Sequence, residues 1–150
     1  MPYKHILAAI DLSEDSNQVL DKARDAADND GARLSLITVV KPLSHVYGGL
    51  DVAPLTKGTV IFEEDALEQV AMQLKAIAKI YRVEEADIHA QLGAPAHEIK
   101  DAANKLETDL IVMGTHNRHG LGRLLGSTAN GVLHGAQCDV MAIRVTTTAE

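Results

Sequence analysis

The stretch Ile111-Val-Met-Gly-Thr-His-Asn-Arg-His-Gly-Leu-Gly-Arg-Leu-Leu-Gly-Ser127 reads as the end of a strand, a glycine-rich basic loop and the start of a helix. A strand that runs through a loop into a helix is the repeating unit of a parallel sheet with helical crossovers. Glycines in such a loop let the backbone approach a ligand closely and adopt positive φ. The helix that follows offers unpaired N–H groups and the positive end of its dipole. Together these features predict an anion site, with phosphate as the natural occupant. Charge agrees with that reading. No Asp or Glu lies between Asp109 and Asp139, whereas His116, Arg118, His119, Arg123 and His134 all do. The loop is a cationic island on a chain of net charge −7.

Outward from this unit the alternation of strand and helix continues in both directions. Lys4–Ile10 reads as a first buried strand, and Ser13 is placed to cap a first helix. The apolar positions of that helix, Val19, Leu20, Ala23, Ala26 and Ala27, recur at helical spacing, and Gly31 ends it. Arg33–Val40 is a second strand. A loop holding Pro42, Gly48, Gly49, Pro54 and Gly58 follows, long enough to be functional. Next comes a long helix with Leu67, Val70, Ala71, Leu74, Ile77, Ala78 and Tyr81 in one stripe. Asp87–Leu92 alternates as a third strand. Gly93 and Pro95 open a third helix with Ala96, Ile99, Ala102, Ala103 and Leu106 inward. Asp109–Met113 is the fourth strand, a helix runs from about Ser127 to Gly135, and Val140–Val145 is the fifth strand. The pattern implies an open, doubly wound parallel sheet covered by helices on both faces, since right-handed crossovers leave few other topologies. No repeat, low-complexity tract or linker divides residues 1–150, so one domain is expected.

Composition narrows the function classes. The chain has no tryptophan and one phenylalanine, so its core must be built from Ala, Val, Leu and Ile. Net negative charge argues against nucleic acid as a general partner. No apolar run is long enough to span a bilayer, so membrane insertion is not expected. Cys138 is the only cysteine, which leaves no intramolecular disulfide and no cysteine-based metal site. The opening Met1-Pro-Tyr-Lys-His-Ile-Leu7 lacks a signal-peptide apolar region because Asp11 and Glu14 interrupt it, and the expected compartment is the cytoplasm.

In open α/β sheets ligands bind beyond the carboxyl ends of the strands, where the strand order reverses. The first strand ends in Asp11-Leu-Ser13 and the fourth in Gly114 and the basic loop. If the two strands are neighbours, Asp11 faces the loop across one crevice. A carboxylate suits a ribose hydroxyl or a purine amine, and the loop suits phosphates. The chain has no Gly-x-x-x-x-Gly-Lys-Ser/Thr, so it is not a P-loop nucleotidase. Gly120-Leu-Gly122-Arg-Leu-Leu-Gly126 is one residue too long for a dinucleotide fingerprint and follows the wrong strand, which rejects a dehydrogenase.

The opening Tyr3-Lys-His-Ile-Leu-Ala-Ala-Ile-Asp-Leu-Ser13 resembles the start of the universal stress protein family. So do the turn Gly93-Ala-Pro-Ala96, the segment Asp109-Leu-Ile-Val-Met-Gly-Thr-His116 and the ending Cys138-Asp-Val-Met-Ala-Ile-Arg144. The resemblance covers nearly the whole chain. It implies a Rossmann-like, adenine nucleotide alpha-hydrolase-like fold: five parallel strands in the order 3-2-1-4-5, with strands one and four side by side. It also implies a homodimer joined through the last strand, Val140–Val145. Nucleotide-binding members carry Gly-x2-Gly-x9-Gly-Ser/Thr after strand four. Here Gly114 matches the first glycine and Gly126-Ser127 the last pair, Asn117 replaces the middle glycine, and the loop is one residue shorter. Asn tolerates the left-handed conformation better than most residues.

By that resemblance Asp11 contacts the adenine or ribose and Val39 lines the base pocket. Met113 and Gly114 border the ribose and phosphates, and Asn117, Gly126, Ser127 and Thr128 hold the phosphates. The ligand implied is ATP or a related adenine nucleotide, with Mg bound through the phosphates. Charge alone adds Arg118 and Arg123. His116 and His119 read as solvated loop residues rather than a metal pair, and Cys138 as a small core residue. Asp11 has a local reading as well, as the residue that shapes the turn before the first helix. No catalytic constellation is present. The expected function is regulatory binding of an adenine nucleotide in a stress response. The alternatives are a dimeric interaction protein with a vestigial pocket and a slow ATP hydrolase in which Asp11 orients a water.

Overall fold

The structure, a computed structural model, describes residues 2–42, 57–115 and 126–146, with the backbone alone for 57–62. The strands are β1 (His5–Ala9), β2 (Arg33–Val40), β3 (Ile88–Leu92), β4 (Leu110–Gly114) and β5 (Asp139–Ile143). The helices are α1 (Ser16–Asp30), α2 (Lys57–Ile80), α3 (Pro95–Lys105) and α4 (Ser127–Gly135). The sheet order is β3-β2-β1-β4-β5 with every neighbour parallel, as the resemblance implied.

All five residues of β1 are buried, so this strand needs cover on both faces. Alternation along the strands sorts the core into two layers. Ile6, Ala8, Leu34, Leu36, Leu110 and Val112 point to one side, where Leu20, Ala23 and Ala27 of α1 and Leu74 and Ala78 of α2 meet them. Leu7, Ala9, Ile37, Ile111 and Met113 point to the other, against Ile99 and Ala103 of α3 and Ala129 and Val132 of α4. The alanines let the helices lie close to the sheet, which is how a core nearly free of aromatics is filled. Gly31, with φ +67°, caps α1 in the left-handed conformation and passes the chain straight into β2.

Several boundaries differ from the expectations. Ser13 does not cap α1: the helix begins at Ser16, Asp15 occupies the N-cap, and the Ser13 carbonyl accepts the Ser16 N–H at 3.0 Å. Asp87 is not a strand residue. It ends a short 3-10 turn, Glu85–Asp87, where its buried carboxylate accepts the Arg33 guanidinium, with Nε at 2.8 Å. A buried carboxylate needs such a partner. Gly58, expected in the loop after Pro42, belongs to α2; residues 43–56 lie outside the described residues. The fifth strand is shifted toward the N-terminus, so Val145 lies past its end, packed against the α1–α2 layer.

Two histidines are built into the sheet, His5 at the start of β1 and His89 near the start of β3. His5 is buried, with Nδ1 3.2 Å from the Leu106 carbonyl and Nε2 2.7 Å from the Ser35 hydroxyl. A carbonyl only accepts, so Nδ1 carries the proton and the Ser35 hydroxyl donates to Nε2. His89 pairs with Ile37 of β2 and has a buried Nε2 with no hydrogen-bond partner among the described residues. Burial lowers the pKa of both histidines, and Arg33 lowers each further.

Stability is therefore expected to fall on mild acidification. A histidine whose pKa is lowered by folding binds protons more readily when unfolded, so stability rises with pH across that window. It is full above the unfolded value of about 6.5 and declines as pH falls below it. Urea titrations of the wild type are expected to show a falling midpoint between about pH 7 and pH 5. The decline should be shallower for His5→Asn.

Candidate functional site

β1 sends the chain to β2 on one side and pairs with β4 on the other, so the crossovers diverge at its C-terminal end. A cavity of about 730 Å³ lies there, within the usual range for small-molecule sites. Its floor is apolar, made by Ala9, Ile37, Val39 and Met113 from three strand ends. Pro95 and Ile99 of α3 wall one side, and Asp11, Ser13 and Ser16 the opposite one. Gly114, Gly126, Ser127 and Thr128 complete it.

The structure thus brings seven of the eight expected residues around one space: Asp11, Val39, Met113, Gly114, Gly126, Ser127 and Thr128. Asn117, together with His116, Arg118, His119 and Arg123, lies outside the described residues. Sequence reasoning missed Lys41, Pro95 and Ile99. Lys41 follows β2 by one residue and is the one cation among the described lining residues. It follows Val39 at the same strand end, a placement that the strand-end rule could have used. Pro95 sits at the first position of α3, after the Gly93 turn that ends β3.

Each wall has a local physical cause. In the α1 wall, the Asp11 Oδ1 accepts the Ser13 N–H at 3.0 Å and the Ser16 hydroxyl at 3.1 Å. These bonds brace Leu12, whose φ of +64° is the left-handed region that a branched side chain enters at a cost. The local and the ligand readings of Asp11 are therefore compatible: the same carboxylate shapes the turn and borders the cavity. In the α4 wall, the first helical hydrogen bond is Asn130 N–H to the Gly126 carbonyl at 2.9 Å. The N–H groups of Ser127, Thr128 and Ala129 have no intrahelical acceptor, no side chain caps the helix at Gly126, and its first turn contains no acid. That is an arrangement for an anion.

Of the two roles expected of the loop glycines, positive φ is not used at Gly126, and Gly120 and Gly122 lie outside the described residues. Gly126 has φ −60°, which any residue adopts, and Gly31 and Gly93 are the positive-φ glycines among the described residues. The role left to Gly114 and Gly126 is the absence of a side chain at the cavity wall. Cys138 packs half-buried against the α3–α4 layer, and burial pushes its thiol pKa up. Among the described residues no cluster of three or more His, Cys, Asp or Glu is placed to hold a metal ion. No described helix is long and apolar enough to cross a membrane.

Residues 2–144 match the universal stress protein family. Universal stress protein A homolog 1 of Coxiella burnetii (strain RSA 493 / Nine Mile phase I) is 40% identical over 143 residues, 95% of this chain and 97% of that protein. Among solved structures, hypothetical protein MJ0577 superposes with a TM-score of 0.79 at 19% identity, covering 99% of this chain and 100% of its own. A universal stress protein in complex with cAMP superposes with a TM-score of 0.63 at 22% identity, covering 97% of this chain and 100% of its own. The fold is the adenine nucleotide alpha-hydrolase-like one.

Because Asp11 braces its own turn, its truncation is expected to cost stability in the absence of any ligand. Asp11→Ala should lose about 1 kcal/mol, the typical worth of such side-chain acceptors. Asp11→Asn keeps an acceptor oxygen and should lose roughly half of that or less. Urea unfolding of the two variants without added nucleotide checks the difference.

Proposed function

The chain belongs to the universal stress protein family, and on that premise we propose that it binds ATP or a related adenine nucleotide as a regulatory ligand in a stress response. The observation that carries this reading is the uncapped N-terminus of α4 set across one cavity from Asp11. The apolar floor of Val39, Ile37 and Met113 suits a base. The Asp11 carboxylate, opposite the anion-binding wall, suits a ribose hydroxyl or the adenine amine. Backbone N–H groups at Ser127 and Thr128, with their hydroxyls, suit phosphates, and Gly114 and Gly126 let the chain approach them. The family resemblance assigns a phosphate contact to Asn117 as well, a residue outside the described ones. Lys41 adds a positive charge at the β2 side of the mouth. Mg accompanies the nucleotide through its phosphates. The cAMP complex of a family member supports an adenine nucleotide as the ligand class.

The same reading places one domain over residues 1–150, working in the cytoplasm as a homodimer. β5 forms an edge of the sheet, and pairing of that edge with a second copy would cover a strand that otherwise invites promiscuous pairing. A second reading, an interaction protein with a vestigial pocket, is favoured by one feature: Asn117 where nucleotide-binding members carry glycine, in a loop one residue shorter.

Calorimetric titration with ATP separates the two. Binding at or below millimolar nucleotide is expected for the wild type, and none for Gly126→Val. The φ of Gly126 admits a side chain, so this variant should fold normally and fail only where bulk meets the ligand. Absence of wild-type binding at millimolar ATP sinks the nucleotide reading. Mass spectrometry of small molecules released from freshly purified, denatured protein gives an independent answer.

A further inference from the structure

α4 carries a glycine at its centre that the backbone does not require. Gly131 is not among the positive-φ glycines, and a glycine inside a helix is less favourable than alanine. Its reason is a neighbour. A Cβ at Gly131 would lie 2.7 Å from the Ala96 Cβ of α3, where ordinary contact begins at 3.4 Å. The Ala96 methyl has no rotamer with which to withdraw, so only a parting of the two helices relieves the clash. Gly135, one turn further on, makes a useful contrast. A Cβ there would meet Lys100, with Nζ at 2.6 Å, and a lysine end swings aside.

The close approach sits directly behind the candidate site. Gly131 lies one turn after Ser127, and Ala96 follows Pro95; Pro95, Ser127 and Thr128 all line the cavity. Ala96, Ile99, Ala129 and Val132 belong to one packed layer, so a shift at Gly131 reaches the first turn of α4 with no soft element between. Hydrogen bonds from the Ser127 and Thr128 N–H groups weaken steeply with distance and angle.

We propose that Gly131 is a positioning residue, whose contact with Ala96 sets the separation of α3 and α4 and thereby the width of the cleft that receives the ligand's anionic end. The affinity arm of this proposal rests on the nucleotide reading; the positional arm does not. The test uses the full chain as wild type, Gly131→Ala, Gly135→Ala and the double variant Ala96→Gly/Gly131→Ala. Two readouts are taken: calorimetric affinity for ATP, and amide NMR shifts of Ser127 and Thr128 without ligand. Gly131→Ala is expected to weaken ATP binding by about tenfold or more and to move both amides. Gly135→Ala stays near wild type, and the double variant returns both readouts toward it.

Wild-type affinity and unmoved amides in Gly131→Ala overturn the proposal, as does a change in thermal stability alone. Failure of the double variant to restore either readout also overturns it. If the wild type binds no ATP, the amide shifts decide: moved and restored, they uphold the positioning role while the nucleotide reading falls; unmoved, they overturn it. If Gly131→Ala does not fold, recovery of folding in the double variant supports the contact with Ala96, and no recovery refutes it.

Discussion

Everything in this molecule depends on β1 being buried on both faces, with His5 as its one polar side chain. A strand whose two faces carry Ile6, Leu7, Ala8 and Ala9 must be sandwiched, so helices have to cover the sheet above and below. Parallel neighbours then require crossovers of one hand. With β2 on one flank and β4 on the other, those crossovers turn away from each other at the C-terminal end of β1. The crevice is what remains between them. Its location follows from hydrophobic burial and chirality, before any residue is chosen for a ligand.

Elements with a strong period were legible for that reason. The stripe from Leu67 to Tyr81, the buried run of β2 and the alternation into two core layers appear where apolar spacing put them. Two of the failures fall where a polar side chain has two competing uses, and a third where an apolar one does. Ser13 looks like a helix cap, yet Asp11 reaches forward to the Ser13 N–H and the Ser16 hydroxyl, and the helix starts later. Asp87 continues the alternation of β3 on paper, but pairing with Arg33 from β2 holds it in a tight turn. Val145 extends an apolar strand pattern, while the cavity and the α1–α2 layer draw it out of the ladder. At Asp87 and Val145 a contact distant in sequence outweighs a local preference; at Ser13 one local hydrogen-bond pattern displaces another.

The site shows the same division. Seven of its expected residues sit on strand ends or a helix start, positions that topology dictates, and they meet. Lys41 sits at a strand end and was legible in principle; Pro95 and Ile99 were not anticipated, because their place on the wall depends on how α3 leans over the sheet, and that lean is set by small-residue contacts such as Gly131 with Ala96. Periodicity identifies which face of a helix is inward; it says little about how near two helices approach.

The pairing of β1 with β4 has a consequence for how the chain comes into being. The Lys4 and His5 amides are tied to the Asp109 carboxylate, at 2.9 and 3.0 Å, across 104 residues or more of intervening chain. During synthesis β1, α1, β2, α2, β3 and α3 all emerge before the strand that must shield the open flank of β1. Contacts of such long range are slow to form, and an unpaired apolar strand edge is prone to wrong partners meanwhile. The crevice therefore cannot form until β4 and α4, the last parts of its lining to be synthesised but for Val145, have emerged.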